Sequence, residues 1–358
     1  MRAIEHKRTG KASVMMKRIV ILLLAVVMVF ALCACDSAPA QTAETQPETQ
    51  PETQPEQPAE EPPEEAADEP EEAPEEVPAE EEPEEMPENV QHVNILLMGA
   101  MDKDFDDAGV AFVLTHKLIT LDVKNRTLKF TSFPYNLAVN ADSGDGEQMM
   151  QMQFANRGGE EATVKVIEDN FGIEIDHYVV MNMHGVIGVV DALKGIEIDI
   201  KKLSLNEMAG YMVDMLGLIW EDVAETGLQM LSGVQTAGYF VDTMPDGDDF
   251  VVGEELLFRE HHKNIIDAVV RAVKALGFTT EDLMQIATDV SSHYITSIEQ
   301  DDWEMIADSA LYCLENEPEY YNVPQELGKV EIDTDFGTAE SLAYTDEDVA
   351  AVQAFVSE

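Results

Sequence analysis

Val93-Asn94-Ile95-Leu96-Leu97-Met98-Gly99 is the stretch on which the fold turns. A short apolar run closed by glycine, with no polar residue on alternate positions after Asn94, reads as a strand buried on both faces. Two further β-rich runs follow at 118–123 and 128–133, separated by Lys124-Asn125-Arg126, and this spacing predicts a hairpin. Helical periodicity then takes over: Glu160–Phe171 stops at Gly172, and 185–193 closes on Lys194-Gly195. Between these helices lies a strand at 176–183, and Ile196–Ile200 reads as another short one. Residues 254–276 form the clearest helix, with Leu257, His261, Ile265, Val269 and Val273 four apart on one face. Thr279-Thr280-Glu281-Asp282 resembles an N-cap for the next helix, and a last one is expected at 303–314. Helices interleaved with a hairpin and single strands predict an α/β domain whose mixed sheet is covered on both faces.

Outside that domain the composition changes abruptly. Residues 1–35 hold six of the chain's 21 basic residues and one acid, and 19–34 is almost continuously apolar behind Lys17-Arg18. That run is shorter than a spanning helix requires and fits a signal sequence. It ends Leu32-Cys33-Ala34-Cys35, which resembles a lipobox; by that resemblance Cys35 is the first mature residue and carries a diacylglyceryl group, which anchors it to a membrane. An uncleaved signal anchor is the alternative. Residues 35–91 read as a tether: from 36 onward they hold 12 of the 16 prolines, 21 acids and no Lys or Arg, with Thr-Gln-Pro-Glu repeating at 45–56. Such a segment buries too little apolar surface to order itself. At about 3.1 Å per residue it would extend to roughly 170 Å. The expected organisation is therefore a signal peptide at 1–34, a tether at 35–91, a main domain at 92–276 and a C-terminal part of the same unit at 277–358.

The formal net charge of −51 excludes a nucleic-acid partner, which demands Lys and Arg to displace counterions from phosphates. Three cysteines, Cys33, Cys35 and Cys313, supply neither a disulfide framework nor a metal-binding pattern.

A longer series of motifs carries a family resemblance. The order runs Asn94 to Gly99, Thr131-Ser132-Phe133-Pro134, Gly158-Gly159 before a helix, Asn170-Phe171-Gly172-Ile173, and Ile175-Asp176-His177-Tyr178-Val179-Val180. Val190-Asp191-Ala192-Leu193, the run from Gly227 to Gln235, and Asp248-Asp249-Phe250 complete it. Over about residues 93–276 this series resembles the LytR–CpsA–Psr (LCP) family. The resemblance implies an α/β/α sandwich outside the membrane and transfer of polyprenyl-pyrophosphate-linked glycopolymers onto peptidoglycan or another wall acceptor. It further implies a pyrophosphate held by arginines, a Mg2+ on aspartates and an apolar pocket for the polyprenyl chain. The implied place is the extracytoplasmic face of a bacterial cell membrane, within the cell envelope.

Pyrophosphate leaves as a multiply charged anion, so guanidinium forks and a divalent cation must neutralise it. Aligned on the motifs, this chain lacks them. Arg-Ser-Asp-Thr is replaced by Phe112-Val113-Leu114-Thr115, and Ser-Ile-Pro-Arg-Asp by Ser132-Phe133-Pro134-Tyr135-Asn136. Tyr-x-Arg-x-Arg becomes Tyr239-Phe240-Val241-Asp242-Thr243, and Arg-x-x-Arg-Gln becomes Phe258-Arg259-Glu260-His261-His262. Every arginine position, Phe112, Tyr135, Val241, Thr243, Phe258 and His261, holds another residue, while the fold motifs survive. This is the pattern of a pseudo-enzyme: a retained scaffold with an abandoned site. A metal-dominated, still active ligase or pyrophosphatase and a purely structural lipoprotein are the alternatives. A residual site would draw on Asp102, Asp104, Gln235, Tyr239, Asp249 and Arg259, with Asp102 and Asp104 as the only metal candidates. The acidic loops around Asp102 to Asp107, Asp142 to Glu147 and Asp246 to Asp249 otherwise read as solvated turns. Adjacent His261 and His262 point about 100° apart on a helix, so they do not chelate one ion together. Methionines such as Met149, Met150, Met152, Met181 and Met183 read first as core filling.

Overall fold

The computed structural model describes residues 92–100, 113–141, 147–151, 158–243, 245, 249–334 and 337–357. The expected signal peptide, Cys35 and the tether lie outside the described residues, as do Asp102, Asp104, Phe112, Asp142, Asp145, Met152, Asp246 and Asp248.

The apolar run at the start becomes β1 (His92–Ala100), buried at every residue after His92 because it sits inside the sheet. The hairpin forms as β2 (Val113–Asp122) and β3 (Thr127–Pro134), pairing antiparallel from Thr115↔Pro134 to Asp122↔Thr127. Its turn is fixed locally: Asp122 Oδ1 accepts the Asn125 N–H at 2.9 Å, and Arg126 takes a left-handed φ of 55°. Strand β2 begins five residues before the expected 118, because Thr115, His116 and Lys117 break the apolar pattern without leaving the sheet.

After β4 (Ala138–Asn140) and β5 (Glu147–Met149), which pair with each other, helix α1 (Glu160–Phe171) has the expected bounds. Gly172, at φ 62°, ends it in the left-handed conformation that glycine adopts without a Cβ clash. Strand β6 (His177–Asn182) is shorter than expected, since Asn182 caps α2 (Met183–Ala192) by accepting from the His184 and Gly185 amides. Strand β7 (Ile196–Ile200) joins no central strand and pairs antiparallel with β8 (Gly227–Leu231). A 3-10 turn and α3 (Ala209–Leu216) connect the two. Then come α4 (Gly233–Val241), the long α5 (Phe250–Leu276), α6 (Thr280–Asp289), β9 (Tyr294–Thr296) and α7 (Trp303–Tyr312). Strand β10 (Glu319–Asn322), the hairpin β11 (Gly328–Thr334) and β12 (Gly337–Ala343), and α8 (Asp346–Ser357) finish the chain.

The central sheet has the order β10-β3-β2-β1-β6-β9, with β1–β6 and β10–β3 parallel and the other pairs antiparallel. It is therefore mixed, as expected. One face packs Leu96, Met98, Leu118 and Phe133 against Val166, Ile167 and Phe171 of α1 and Val352 and Val356 of α8. On the other, Leu128 and Phe130 meet Ile266, Val269 and Val273 of α5 and Leu283 of α6. Met150, Met181 and Met183 are fully buried, which is core filling. Helices thus cover both faces of the sheet.

Close packing makes one glycine critical. A Cβ on Gly233, in the first turn of α4, would lie 2.4 Å from Ile187 Cγ2 and 2.5 Å from Ile187 Cα in α2. Backbone cannot swing aside as a side-chain tip can, so Gly233→Ala should cost about 1.5 kcal/mol of stability. Urea denaturation followed by circular dichroism checks this; an unchanged midpoint would show that α2 and α4 are not locked there.

Candidate functional site

Three elements build the site. The start of β2, the end of β3 and the first half of α5 bring together Leu114, Thr115, Lys117, Ser132, Tyr135, Glu255, Phe258, Arg259 and His262. Lys117 and Ser132 are register partners, so their side chains emerge on the same face, toward α5. Lys117 Nζ donates to Ser132 Oγ at 2.5 Å. Across from it Glu255, only 5% exposed, accepts from Arg259 Nε at 2.6 Å. The Arg259 guanidinium also donates to the carbonyls of Pro324 at 2.8 Å and Val323 at 3.3 Å. Tyr135 donates to Glu254, one turn before Phe258 on α5, and its ring meets Phe258 edge-on at 5.9 Å. The space left among these groups is about 20 Å3, roughly the room of one water.

The charges here answer one another. Burial pulls the Lys117 ammonium down from 10.5 to about 8; nearby Glu255 opposes that shift and Arg259 adds to it. Burial raises the Glu255 carboxyl, and Arg259 and then Lys117 hold it back. His262 is pushed well below its usual range by burial, with Lys117 and His261 contributing, so its ring is neutral at pH 7. Burial likewise raises Tyr135, and the Glu254 carboxylate adds to it. Two cations and one carboxylate therefore stand where an anion-binding cluster would need cations with free donors.

Each position singled out in the sequence can now be placed. Leu114, Tyr135, Phe258 and Arg259 line this pocket, and Arg259 already spends its Nε and Nη2 donors on Glu255 and two backbone carbonyls. Asn136 is buried beside it with an Oδ1 that has no hydrogen-bond partner. Gln235 completes a capping box: its Oε1 accepts the Ser232 N–H at 3.0 Å and its Nε2 donates to the Glu221 carbonyl at 3.0 Å. Asp249 caps α5 through the Val252 N–H and pairs with Lys329 at 3.0 Å, which holds its carboxyl below the usual range. Tyr239 and His261 stack at 4.0 Å in a separate cleft, whereas Phe240 and His262 stack at 4.3 Å. The two histidines do diverge, and His261 is a buried, packed residue. Val241 and Thr243 lie at the end of α4, where the Thr243 N–H donates to the Val241 carbonyl at 2.9 Å. Of the residual-site candidates, the four that are described, Gln235, Tyr239, Asp249 and Arg259, sit in a helix cap, a separate cleft, the start of α5 and the filled pocket respectively.

Sequence reasoning missed Lys117, Glu255 and the Tyr135–Glu254 pair. A lone lysine inside a strand otherwise made of apolar and β-branched residues was the available signal for Lys117. The Mg2+ that the resemblance implies does not fit the described positions. Leu114 offers hydrocarbon where a carboxylate is needed, and Asn136 offers a neutral amide. Among the described residues no group of three or more His, Cys, Asp or Glu could hold a metal ion.

Comparison with known proteins places this arrangement. The chain matches the LytR_cpsA_psr family over residues 61–303, a span that starts earlier and ends later than the motif series. It is 32% identical over 84 residues to the polyisoprenyl-teichoic acid–peptidoglycan teichoic acid transferase TagV of Bacillus subtilis, covering 23% of this chain and 22% of that protein. Against TagT of the same organism identity is 25% over 186 residues, 51% of this chain and 53% of the relative. The chain thus spans between about a fifth and about half of these curated relatives. The crystal structure of B. subtilis TagV superposes with a TM-score of 0.55 at 20% identity, covering 74% of this chain and 97% of that one, which shows the shared fold. With the motif order, the mixed α/β/α architecture and a family match over more than half its length, the chain belongs to the LytR–CpsA–Psr family.

Proposed function

We propose that this chain is a lipid-anchored, extracytoplasmic member of its family that takes part in cell-envelope glycopolymer assembly as a binder and has lost phosphotransfer. One observation carries the reading: the pocket of Leu114, Tyr135 and Phe258 is filled by a Lys117–Glu255–Arg259 cluster whose charges are partly compensated from within, leaving about 20 Å3. A pyrophosphate entering there would meet the Glu255 carboxylate and displace Arg259 from two carbonyls and an ion pair. The wider field opposes it too, since residues 92–358 carry 15 basic and 50 acidic side chains. Loss of the anion clamp does not touch the scaffold, whose helices still enclose the sheet; polyprenyl-linked or wall-glycan partners are therefore the ligands of choice. Anchoring through Cys35 and spacing by residues 35–91 would place the domain away from the membrane surface.

Isothermal titration of the full chain with a short-chain polyprenyl pyrophosphate, with and without Mg2+, tests the reading. The expected result is no magnesium-dependent binding at micromolar ligand. Micromolar, magnesium-dependent binding would overturn it and favour a rearranged, active site.

A further inference from the structure

On the neighbouring face of α5 the chain leaves a cleft of about 310 Å3, far roomier than the filled pocket. Its walls are Lys201, Lys202 and Ser204 after β7, Tyr239 and Asp242 at the end of α4, and Leu257, Glu260 and His261 of α5. Two lysines and two carboxylates line it, and Lys201 is paired with Asp199 just beyond the lining.

Hydrogen-bonding capacity is unspent at the floor of this cleft. Tyr239 Oη accepts from Asn264 Nδ2 at 2.9 Å, which leaves its own proton to give. His261 is more than nine-tenths buried, and its ring hydrogen-bonds the Tyr239 backbone. Its Nδ1 has no partner. Burial lowers this imidazole to about 4, so the ring is neutral at pH 7 and Nδ1 is an acceptor awaiting a donor. A buried polar atom without a partner is costly unless something fills its place. Ser204 Oγ donates to Asp242 at 2.6 Å, which holds that carboxylate in position at the rim.

The combination selects against charged ligands. An anion would face Asp242 and Glu260, and would offer no proton to His261 Nδ1. A simple cation would face Lys201 and Lys202. An uncharged ligand bearing many hydroxyls satisfies both sets, because each hydroxyl donates to His261, Asp242 or Glu260 and accepts from a lysine or Tyr239. A volume of about 310 Å3 is at the lower end of small-ligand sites, which suits one or two sugar rings.

We infer that this cleft is a saccharide-binding site, with Tyr239, His261 and Asp242 as its orienting groups. The inference rests on the proposed role as an envelope glycan binder and names where and by what chemistry the glycan is held. The site is separate from the filled pocket: His261 lines the cleft and His262 the pocket, and the two linings share no residue.

The test is ligand-observed NMR and calorimetry on the full chain with a β-linked N-acetylglucosamine disaccharide. The expected dissociation constant is on the order of 1 mM or tighter. Tyr239→Phe keeps the ring stacked on His261 and removes only the hydroxyl, so it should weaken binding about tenfold; the lost Asn264 bond lowers the melting curve slightly, and circular dichroism at the assay temperature confirms that the variant is folded. Asp242→Asn, at the end of the same helix, should also weaken binding about tenfold while keeping an acceptor for Ser204. No binding at millimolar disaccharide overturns the inference, as does binding that both variants leave intact. Displacement of the sugar by D-alanyl-D-alanine or inorganic pyrophosphate at equal concentration also overturns it, because a zwitterion or an anion would then be the preferred occupant. The outcomes stay distinguishable from the polyprenyl titration. Sugar silence with pyrophosphate silence sinks only the cleft, whereas magnesium-dependent pyrophosphate binding sinks the reading beneath it.

Discussion

Replacing Glu255 by glutamine should cost about 3 kcal/mol of folding stability at pH 7, although the two side chains have the same shape. The carboxylate is the anion facing both Lys117, which is buried, and Arg259, which is partly buried. Arg259 cannot shed its proton, so its charge is left without its carboxylate partner and contributes most of the loss. Lys117 can release a proton, and its folded value of about 8 sets the limit. Deprotonating it one unit below that value costs only about 1.4 kcal/mol, so its share cannot exceed that amount. Guanidinium unfolding at pH 7 and pH 9 provides the measurement. The expected pattern is a large loss at pH 7 that shrinks at pH 9, where folded Lys117 is already neutral. A loss under about 1 kcal/mol at pH 7 would mean that Glu255 does not compensate the cluster.

Lys117→Met should move stability the other way, raising it by about 2 kcal/mol at pH 7. The ammonium is 3% exposed and titrates near 8 instead of 10.5. That shift means the protonated form is held at a cost of about 3 kcal/mol relative to the unfolded chain. Methionine fills a similar volume without the charge, and Glu255 keeps Arg259. The sign with pH follows from linkage. Between about 8 and 10.5 the unfolded chain still binds the Lys117 proton while the folded one has released it, so the Lys117 contribution to wild-type stability rises with pH in that window. The advantage of the methionine variant should therefore fade from pH 8 upward. Glu255, Arg259 and His262 face this group from α5, but arginine and the neutral histidine do not titrate there. The Cys313 thiol, raised by burial from 9.0 to about 12, and the raised tyrosines, Tyr135, Tyr178, Tyr239, Tyr294, Tyr320 and Tyr321, destabilise both proteins alike as pH rises past about 9 and 10 respectively, and cancel in the comparison. A variant no more stable than wild type at pH 7, or a gain constant to pH 10, would refute the buried-charge account.

These two predictions concern residues that the sequence did not point to, and the reason is distance along the chain. Lys117 and Glu255 are 138 positions apart, and no local pattern couples a strand residue to a helix turn that folds over it much later. By contrast Gly172 announced the end of α1, and Lys124-Asn125-Arg126 announced the hairpin, since both are settled within a few residues. The capping box of α4 was legible as Ser232-x-x-Gln235, but the same glutamine was set among site candidates because its place in the motif series outweighed its place at a helix start. Strand β7 was recognised as a strand, yet its partner was not, because alternation along one strand carries no information about which other strand it meets.

The sequence by itself determined the family and the mixed α/β layering, since these reside in residue identity and short-range period. Only the tertiary structure decided which charged and hydrogen-bonding groups meet. Charge compensation between Lys117, Glu255 and Arg259, and the unspent hydrogen-bonding capacity of Tyr239 and His261, exist only where α4, α5 and the β2–β3 pair converge and water is excluded. Burial turns an ordinary lysine into one near pH 8 and an ordinary histidine into a neutral acceptor, and burial is a property of the packed molecule.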